Sequence, residues 1–100
     1  MTALDSTTRI PALTVPLTDG AAELGRFGGL EVGVWEMAPG TDTDVEADEL
    51  FIVIAGRATI DFPRTGRRLE LAPGDVVRLS AGDETVWTVT ETLRKVYIAG

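Results

Sequence analysis

The chain has 100 residues and a formal net charge of −7, and it contains neither cysteine nor histidine. Its length suits a single domain over residues 1–100, in which residues 1–8 are polar, lack periodicity and are predicted to form a loose tail. The acidic balance argues against nucleic acid and anionic membranes as partners. Without cysteine there is no thiol nucleophile, and without histidine no serine-hydrolase triad can form. The absence of a long apolar run or a signal-peptide pattern favours a cytoplasmic protein.

Short β-rich runs separated by glycine-containing turns make up most of the chain. This pattern predicts an all-β fold, in which two antiparallel sheets close into a small barrel or jelly roll. A domain of this size buries its apolar surface only marginally, so a homodimer is expected. Thr18–Phe27 is the one segment that suits a helical turn, although Gly20 and Gly25 weaken it. The predicted strands are Ile10–Leu17, Leu30–Met37, Glu49–Ala55, Arg57–Pro63, Arg67–Leu71, Val76–Ser80, Thr85–Thr90 and Leu93–Ala99.

The alternation of side chains predicts which residues face the core. Ala58, Ile60 and Phe62 share one face of their strand, with polar residues between them. The run Leu50–Ile54 is apolar throughout and is typical of a strand covered on both sides. Counting by twos places Glu49 on the same face as Phe51 and Val53.

Two motifs and the C-terminal tail resemble the cupin family. Glu49-Leu-Phe-Ile-Val-Ile-Ala-Gly56 is similar to the second half of the first cupin motif, and Pro39-Gly40 resembles the turn before its histidine pair. Gly74-Asp75-Val-Val-Arg-Leu-Ser80-Ala-Gly82 is similar to the second motif. The tail Trp87-Thr-Val-Thr-Glu-Thr-Leu-Arg94-Lys95-Val-Tyr97 resembles the branch of small cupins that holds the ethanolamine-utilisation Q-like proteins and the cupin halves of ureidoglycine aminohydrolase. The resemblance implies a cupin β-barrel.

The positions of the family's metal-binding histidines carry other residues here. Depending on the spacing, the histidine pair falls on Thr43 and Val45 or on Asp42 and Asp44, and the later histidine position is Thr85. Iron, manganese and nickel sites of the family combine imidazole nitrogen with one carboxylate. The family's metal chemistry is therefore not carried over, and no metal or other cofactor is expected.

Acidic residues are densest between Asp42 and Glu49, with carboxylates also at Asp44, Glu46 and Asp48. One interpretation is a site for calcium, magnesium or manganese, since these ions prefer oxygen ligands. The sequence favours the other interpretation, a solvated acidic loop at the mouth of the barrel, because Ala47 and Val53 replace the glycine and glutamate of a calcium-binding loop.

Few side chains suit acid–base chemistry. Glu49 either lies at a strand end, in solvent or beside an arginine, or points into the barrel, where a carboxylate among apolar groups can act as acid or base. Glu36 is a weaker candidate because its strand shows no clear inside face. Lys95 and Tyr97 are the single lysine and the single tyrosine, and Tyr97 is assigned a supporting role.

Other large or charged residues are candidates for the wall of a binding cavity. Trp35 and Trp87 either pack in the core or line a pocket. Thr85 shares a face with Trp87 by alternation. Arg78 lies at the surface, pairs with Glu49 or binds a ligand carboxylate. Arg94 and its neighbour Lys95 point to opposite faces of a strand, so only one of them enters the barrel.

Three functions remain open on the sequence. The leading hypothesis is a metal-free cupin that binds a small polar organic ligand, a carboxylate or a sugar derivative, with Trp35, Glu49, Arg78, Thr85 and Trp87 lining the cavity. The alternative is a metal-independent isomerase, lyase or hydrolase that uses Glu49 or Glu36 as acid and base with Tyr97. The third is a structural or regulatory dimer whose barrel is filled by side chains.

Overall fold

A computed structural model of the protein describes residues 4–100, and every regular element in that range is a β-strand. The all-β prediction is therefore confirmed. None of these residues belongs to a helix long and apolar enough to cross a membrane. The strands are β1 (Ala21–Phe27), β2 (Leu30–Met37), β3 (Gly40–Val45), β4 (Glu49–Phe62), β5 (Arg67–Leu71), β6 (Val76–Leu79) and β7 (Glu84–Ala99).

All strand pairs are antiparallel, and the main path through the sheet is β1-β2-β7-β4-β5. The first part of β7 pairs with β3 and its second part pairs with β2. In the same way, β6 pairs with the first part of β4 and β5 with its second part. The inward side chains of β4, β5, β6 and β7 meet in one apolar core.

Gly56 is the point at which β4 bends. The register of β4 against β7 shifts between Val53 and Ala58, and Gly56 has a φ of 90°, which residues with a side chain rarely adopt. A Cβ atom at Gly56 would lie 2.1 Å from the carbonyl oxygen of Thr92 on β7. Both the bend and the close approach of the two strands therefore require glycine at this position of the motif.

Two pairs of predicted strands are halves of single strands. Glu49–Ala55 and Arg57–Pro63 join in β4, and Thr85–Thr90 and Leu93–Ala99 join in β7. Sequence patterns break at Gly56 and at the exposed residues Glu91 and Thr92, whereas the backbone pairing between β4 and β7 continues on both sides of the bend.

Burial confirms the predicted alternation along β4. Phe51, Val53 and Ile60 are fully buried and Ala58 nearly so. The expectation that Leu50–Ile54 is covered on both sides is wrong in part, because Leu50 on the outer face is 37% exposed.

The segment before β2 differs from the prediction in two places. Thr18–Phe27 holds no helical turn, since Ala21–Phe27 pairs with β2 across a short hairpin. Ile10–Leu17 is not a strand, and its turn is held instead by the guanidinium group of Arg94, which donates hydrogen bonds to the carbonyl oxygens of Ala12 (2.9 Å) and Val15 (2.6 Å). Carbonyl groups of this segment are thus bound by the side chain of Arg94 and not by the backbone of a neighbouring strand.

The predicted loose tail, residues 1–8, is described only from residue 4 onward, and residues 1–3 lie outside the described range. The amide of Leu4 donates a 2.8 Å hydrogen bond to the carbonyl oxygen of Leu24 in β1. A Cβ at Gly25 would lie 2.7 Å from the Leu4 nitrogen, so this contact depends on glycine.

The predicted acidic loop is a strand for most of its length. Residues 40–45 form β3, and Asp42 pairs with Trp87 and Asp44 with Thr85 of β7. All six residues of β3 are exposed, as suits an edge strand, and its carboxylates discourage pairing with a further chain.

Candidate functional site

A cavity of about 190 Å³ opens between β2, β3 and the inner faces of β4 and β7. Its wall combines aromatic rings with acidic groups and a single basic group. Successive strands contribute residues two apart in sequence, because side chains of one strand face alternate sides. The lining residues are Ala21, Trp35, Met37, Asp42, Asp44, Glu46, Glu49, Trp87, Lys95 and Tyr97.

An ion pair forms part of the wall of this cavity. The Nζ atom of Lys95 donates a hydrogen bond of 2.6 Å to Oε2 of Glu49. Both side chains are largely buried, with 6% of Lys95 and 18% of Glu49 exposed. Lys95 is held in place because its backbone lies between Trp35 of β2 and Val53 of β4 in the register of the sheet.

Three aromatic rings surround the ammonium group of Lys95. The distance from Nζ to the ring centroid is 4.3 Å for Phe51, 4.6 Å for Trp35 and 4.8 Å for Trp87. The rings also contact each other, since Trp87 lies 5.7 Å from both Trp35 and Phe51 between centroids. A cation over an aromatic face gains about 0.5–2 kcal/mol, and the larger values apply when the site is desolvated. The rings and Glu49 together replace the water that the ammonium loses on burial.

Glu46, just after β3, fixes the mouth of the cavity. Its Oε2 atom accepts hydrogen bonds from the Thr85 hydroxyl (2.7 Å) and the Trp87 indole NH (3.0 Å). Its backbone exchanges hydrogen bonds of 2.8 Å with Gly82 and Asp83 in the turn between β6 and β7. These contacts hold the Trp87 ring in one orientation against the cavity.

Tyr97 forms a further part of the wall. Its hydroxyl donates a hydrogen bond to the carboxylate of Glu31, and burial, followed by this bond, raises the pKa of the phenol above its ordinary value. The ring lies directly over Gly33, where a Cβ would be 2.4 Å from the phenol oxygen. Glycine at this position of β2 therefore allows the tyrosine to face the cavity.

The structure places Trp35, Glu49, Trp87 and Tyr97 together on the cavity wall. Thr85 is 2% exposed and lies behind Glu46, to which its hydroxyl group donates a hydrogen bond. The ligand-binding and catalytic roles assigned to these residues from the sequence stay predictions.

Two candidate residues lie elsewhere. Arg78 is not among the lining residues of this cavity: its side chain is 66% exposed and lies 3.5 Å from Asp48, at the surface position that the sequence also allowed, and its ligand-binding role stays a prediction. Its position on β6 alternates with the buried Val77 and Leu79 and so points outward. Glu36 follows Trp35 on β2, points away from the cavity and forms an ion pair of 3.1 Å with Arg94.

Sequence reasoning did not include Lys95 and Glu46 among the site residues. The alternation of Thr85, Trp87 and Val89, extended by twos along β7, reaches Lys95 and selects it over Arg94 as the residue that enters. For Glu46 the signal is the period of two that links it to Asp42 and Asp44. That signal becomes readable only once β3 is known to be a strand.

Comparison with protein families identifies the family of this chain. Residues 24–97 match the EutQ-like cupin domain family over most of the chain. The chain belongs to this cupin family. A search of curated proteins gives no match for this cupin.

Solved structures support the fold. EutQ from Clostridium difficile is 25% identical with a TM-score of 0.62, and the match covers 70% of this chain and 55% of that protein. A protein of unknown function from Rhizobium leguminosarum is 20% identical with a TM-score of 0.75, covering 94% and 96% of the two chains. A cupin superfamily protein from Desulfitobacterium hafniense is 16% identical with a TM-score of 0.70, covering 94% and 91%. The present cupin thus spans little more than half the length of the Clostridium protein.

The residues of the cavity do not fit the imidazole-rich metal site typical of cupins. The chain has no histidine, and the motif glutamate, Glu49, is bound to the ammonium group of Lys95. Within residues 4–100, no three acidic side chains converge closely enough to hold a metal ion. The carboxylate of the motif residue Glu49 is therefore paired with the ammonium group of Lys95.

Proposed function

We propose that this cupin binds a small polar organic molecule in the cavity between β2, β3, β4 and β7 without the help of a metal. The observation that carries the proposal is the Lys95–Glu49 pair within its three aromatic rings, beside space that the side chains leave open. A cavity of about 190 Å³ is smaller than the pockets of about 300–1,000 Å³ that hold drug-sized ligands. The ligand therefore has only a few heavy atoms.

The charges of the wall support a ligand without net negative charge. Among the described lining residues, four carboxylates face one ammonium group, and that ammonium is already paired with Glu49. A ligand carboxylate would meet the repulsion of Asp42, Asp44 and Glu46 without a partner of opposite charge. Of the two classes expected from the sequence, a carboxylate and a sugar derivative, the neutral hydroxylated one fits the cavity better.

A matched series of small molecules tests this proposal. Glycerol, glycerate and 2-amino-1,3-propanediol have similar size and differ in charge. Trp35 and Trp87 are the only tryptophans and both line the cavity, so their fluorescence reports occupancy directly. We expect the neutral and amino compounds to change this fluorescence and raise Tm in proportion to RT ln(1 + [L]/Kd), and glycerate to do neither.

Two variants serve as controls for that series. Asp44→Asn removes one acidic group at the cavity and should weaken the discrimination against glycerate. Arg78→Gln changes a charge outside the cavity and should leave the discrimination unchanged. A response to glycerate alone, or no response to any member of a wider set of polyols and amines, would sink the proposal.

A second candidate function is a metal-independent enzyme, an isomerase, lyase or hydrolase, with Glu49 as acid and base. The contact of Glu49 with Lys95 at the cavity favours it, because the two groups are within proton-transfer distance. Glu36 fits this role poorly, since its carboxylate is bound to Arg94 on the other face of β2. Turnover of any substrate found should fall sharply in Glu49→Gln, and unchanged turnover would remove Glu49 from the mechanism.

We also propose a homodimer located in the cytoplasm. Leu50 and Val76 support the dimer, because they lie on the outer face of β4 and β6 and are 37% and 64% exposed. Light scattering should give twice the chain mass, and Val76→Asp should lower it towards that of the monomer. A monomeric wild-type protein at micromolar concentration would contradict this.

A further inference from the structure

We propose that Lys95 forms an imine with a small neutral aldehyde or ketone that enters the cavity, with Glu49 as proton acceptor and then donor. This proposal goes beyond reversible binding. It uses the same cavity but does not depend on which polyol or amine binds there.

The position of Lys95 suits a nucleophile. Its side chain lines the cavity and is only 6% exposed, so it is shielded from bulk water while lying beside the open space. Burial of a lysine among apolar groups is one of the ways in which proteins prepare it for attack on a carbonyl carbon. Glu49 lies 2.6 Å from Nζ and can take a proton from the ammonium group without any rearrangement.

Lys95 and Glu49 together can supply and accept every proton that imine formation requires. The Lys95 ammonium first gives a proton to the Glu49 carboxylate, and the free amine attacks the carbonyl carbon. The new C–N bond forms as the C=O π bond breaks, and a proton passes from nitrogen to oxygen to give the carbinolamine. Glu49 then returns its proton to the hydroxyl group, which leaves as water, and an iminium ion remains beside the Glu49 carboxylate.

The surroundings of Lys95 stabilise the product as well as the starting state. An iminium ion carries the same single positive charge as the ammonium group and lies at the same place. Phe51, Trp35 and Trp87 therefore still present their ring faces to a cation, and Glu49 remains its counter-ion. The charge is present before and after the reaction, so the site needs no reorganisation to accept the product.

The wall of the cavity also selects the carbonyl compound. Asp42, Asp44 and Glu46 repel the anion of a keto acid. The cavity volume of about 190 Å³ limits the compound to a few carbon atoms. Small neutral hydroxyaldehydes and hydroxyketones meet both conditions.

Reductive trapping on the full chain tests the proposal. The protein is incubated with glycolaldehyde and cyanoborohydride, which converts an imine to a stable secondary amine and adds the mass of the aldehyde less one oxygen. Lys95 is the only lysine, so peptide mapping separates it cleanly from the α-amine of the same chain. We expect label on Lys95 to form faster than label on the α-amine, and at least tenfold faster with glycolaldehyde than with glyoxylate. Label at Lys95 that forms no faster than at the α-amine would overturn the proposal, as would faster labelling by glyoxylate.

Two variants complete the design. Lys95→Arg keeps the positive charge and should abolish the side-chain label while the α-amine still reacts. Glu49→Gln should slow labelling of Lys95 at least tenfold, and an equal or faster rate would contradict the role of Glu49. If Glu49→Gln does not fold, the rates at Lys95 and at the α-amine of the wild type still decide whether the imine forms at Lys95. Polyol-induced tryptophan fluorescence without label at Lys95 would leave binding intact and remove the imine.

Discussion

The two halves of β4 provide different interiors although they belong to one strand. Before Gly56 the inward residues are Glu49, Phe51 and Val53, and after it they are Ala58, Ile60 and Phe62. The first half faces Lys95 and the cavity as well as the core, while the second half pairs with β5 and its inward residues face only the apolar core. The inward face of the first half contains a charged pair that an apolar core does not need, whereas the ion pair of the second half, Asp61 with Arg68, lies on its outer face.

This difference teaches where function is to be sought in the domain. Buried charges are costly unless they are paired, and a pair of hydrophobic residues of the same size is often equally stable or better. A Lys–Glu pair in a core of this size is therefore poorly explained by stability alone. The open space beside the pair and the aromatic rings around it direct attention to the half of β4 that begins at Glu49.

The largest effect is expected when the ion pair between Lys95 and Glu49 is broken. Lys95→Met leaves Glu49 buried without its partner and should lower the free energy of unfolding by about 3–5 kcal/mol. The double variant with Glu49→Leu removes both charges and should recover most of this loss. Urea denaturation of the wild type, both single variants and the double variant measures the coupling. A loss in Lys95→Met below about 1 kcal/mol would mean that the pair behaves as an exposed one.

The bend between the two halves is the next test. Gly56→Ala introduces a Cβ into the backbone of Thr92 at a residue with a φ of 90°, so a loss of about 3 kcal/mol is expected. Gly66 also has a positive φ, 74°, but nothing lies within 4 Å of the added atom. Gly66→Ala is therefore the matched control and should cost only about 1–2 kcal/mol. Equal losses in thermal or urea unfolding would contradict the steric role of Gly56.

A substitution of Arg94, on the outer face of β7, tests whether this side chain anchors the segment that contains Ala12 and Val15. Arg94→Gln removes three contacts of a largely buried guanidinium group and should cost about 1–3 kcal/mol. Hydrogen exchange should then increase in the segment that contains Ala12 and Val15. Arg78→Gln changes a mostly exposed arginine and should alter stability by less than about 0.5 kcal/mol. If the two variants behave alike, the anchoring of the segment by Arg94 is disproved.

The smallest effect concerns the only tyrosine. Burial and the bond to Glu31 raise the pKa of Tyr97, so the native state binds its proton more tightly than the unfolded chain, where the phenol ionises near pH ~10. This contribution to stability is complete below that pH and is lost as the pH rises above it. Ultraviolet absorbance should show no phenolate in the folded protein at a pH at which the urea-unfolded protein is ionised. Coincident titration curves would exclude the raised pKa.

The sequence by itself determined the fold class, the family and most inward positions. Strands appear as residues of alternating polarity between glycine turns, and this local pattern placed Glu49 with Phe51 and Trp87 with Thr85. For β7 the sequence predicted only that one of the consecutive side chains Arg94 and Lys95 enters the barrel.

Only the tertiary structure decided which strands join and which charges meet. The bends that join the predicted halves into β4 and β7 arise from pairing between strands distant in sequence, which overrides local breaks in the pattern. The acidic run became an edge strand because β7 offered it a partner. The contact between Glu49 and Lys95 spans 46 positions along the chain and depends on the register between β4 and β7. No local pattern encodes that register, and so the centre of the candidate site emerged only in three dimensions.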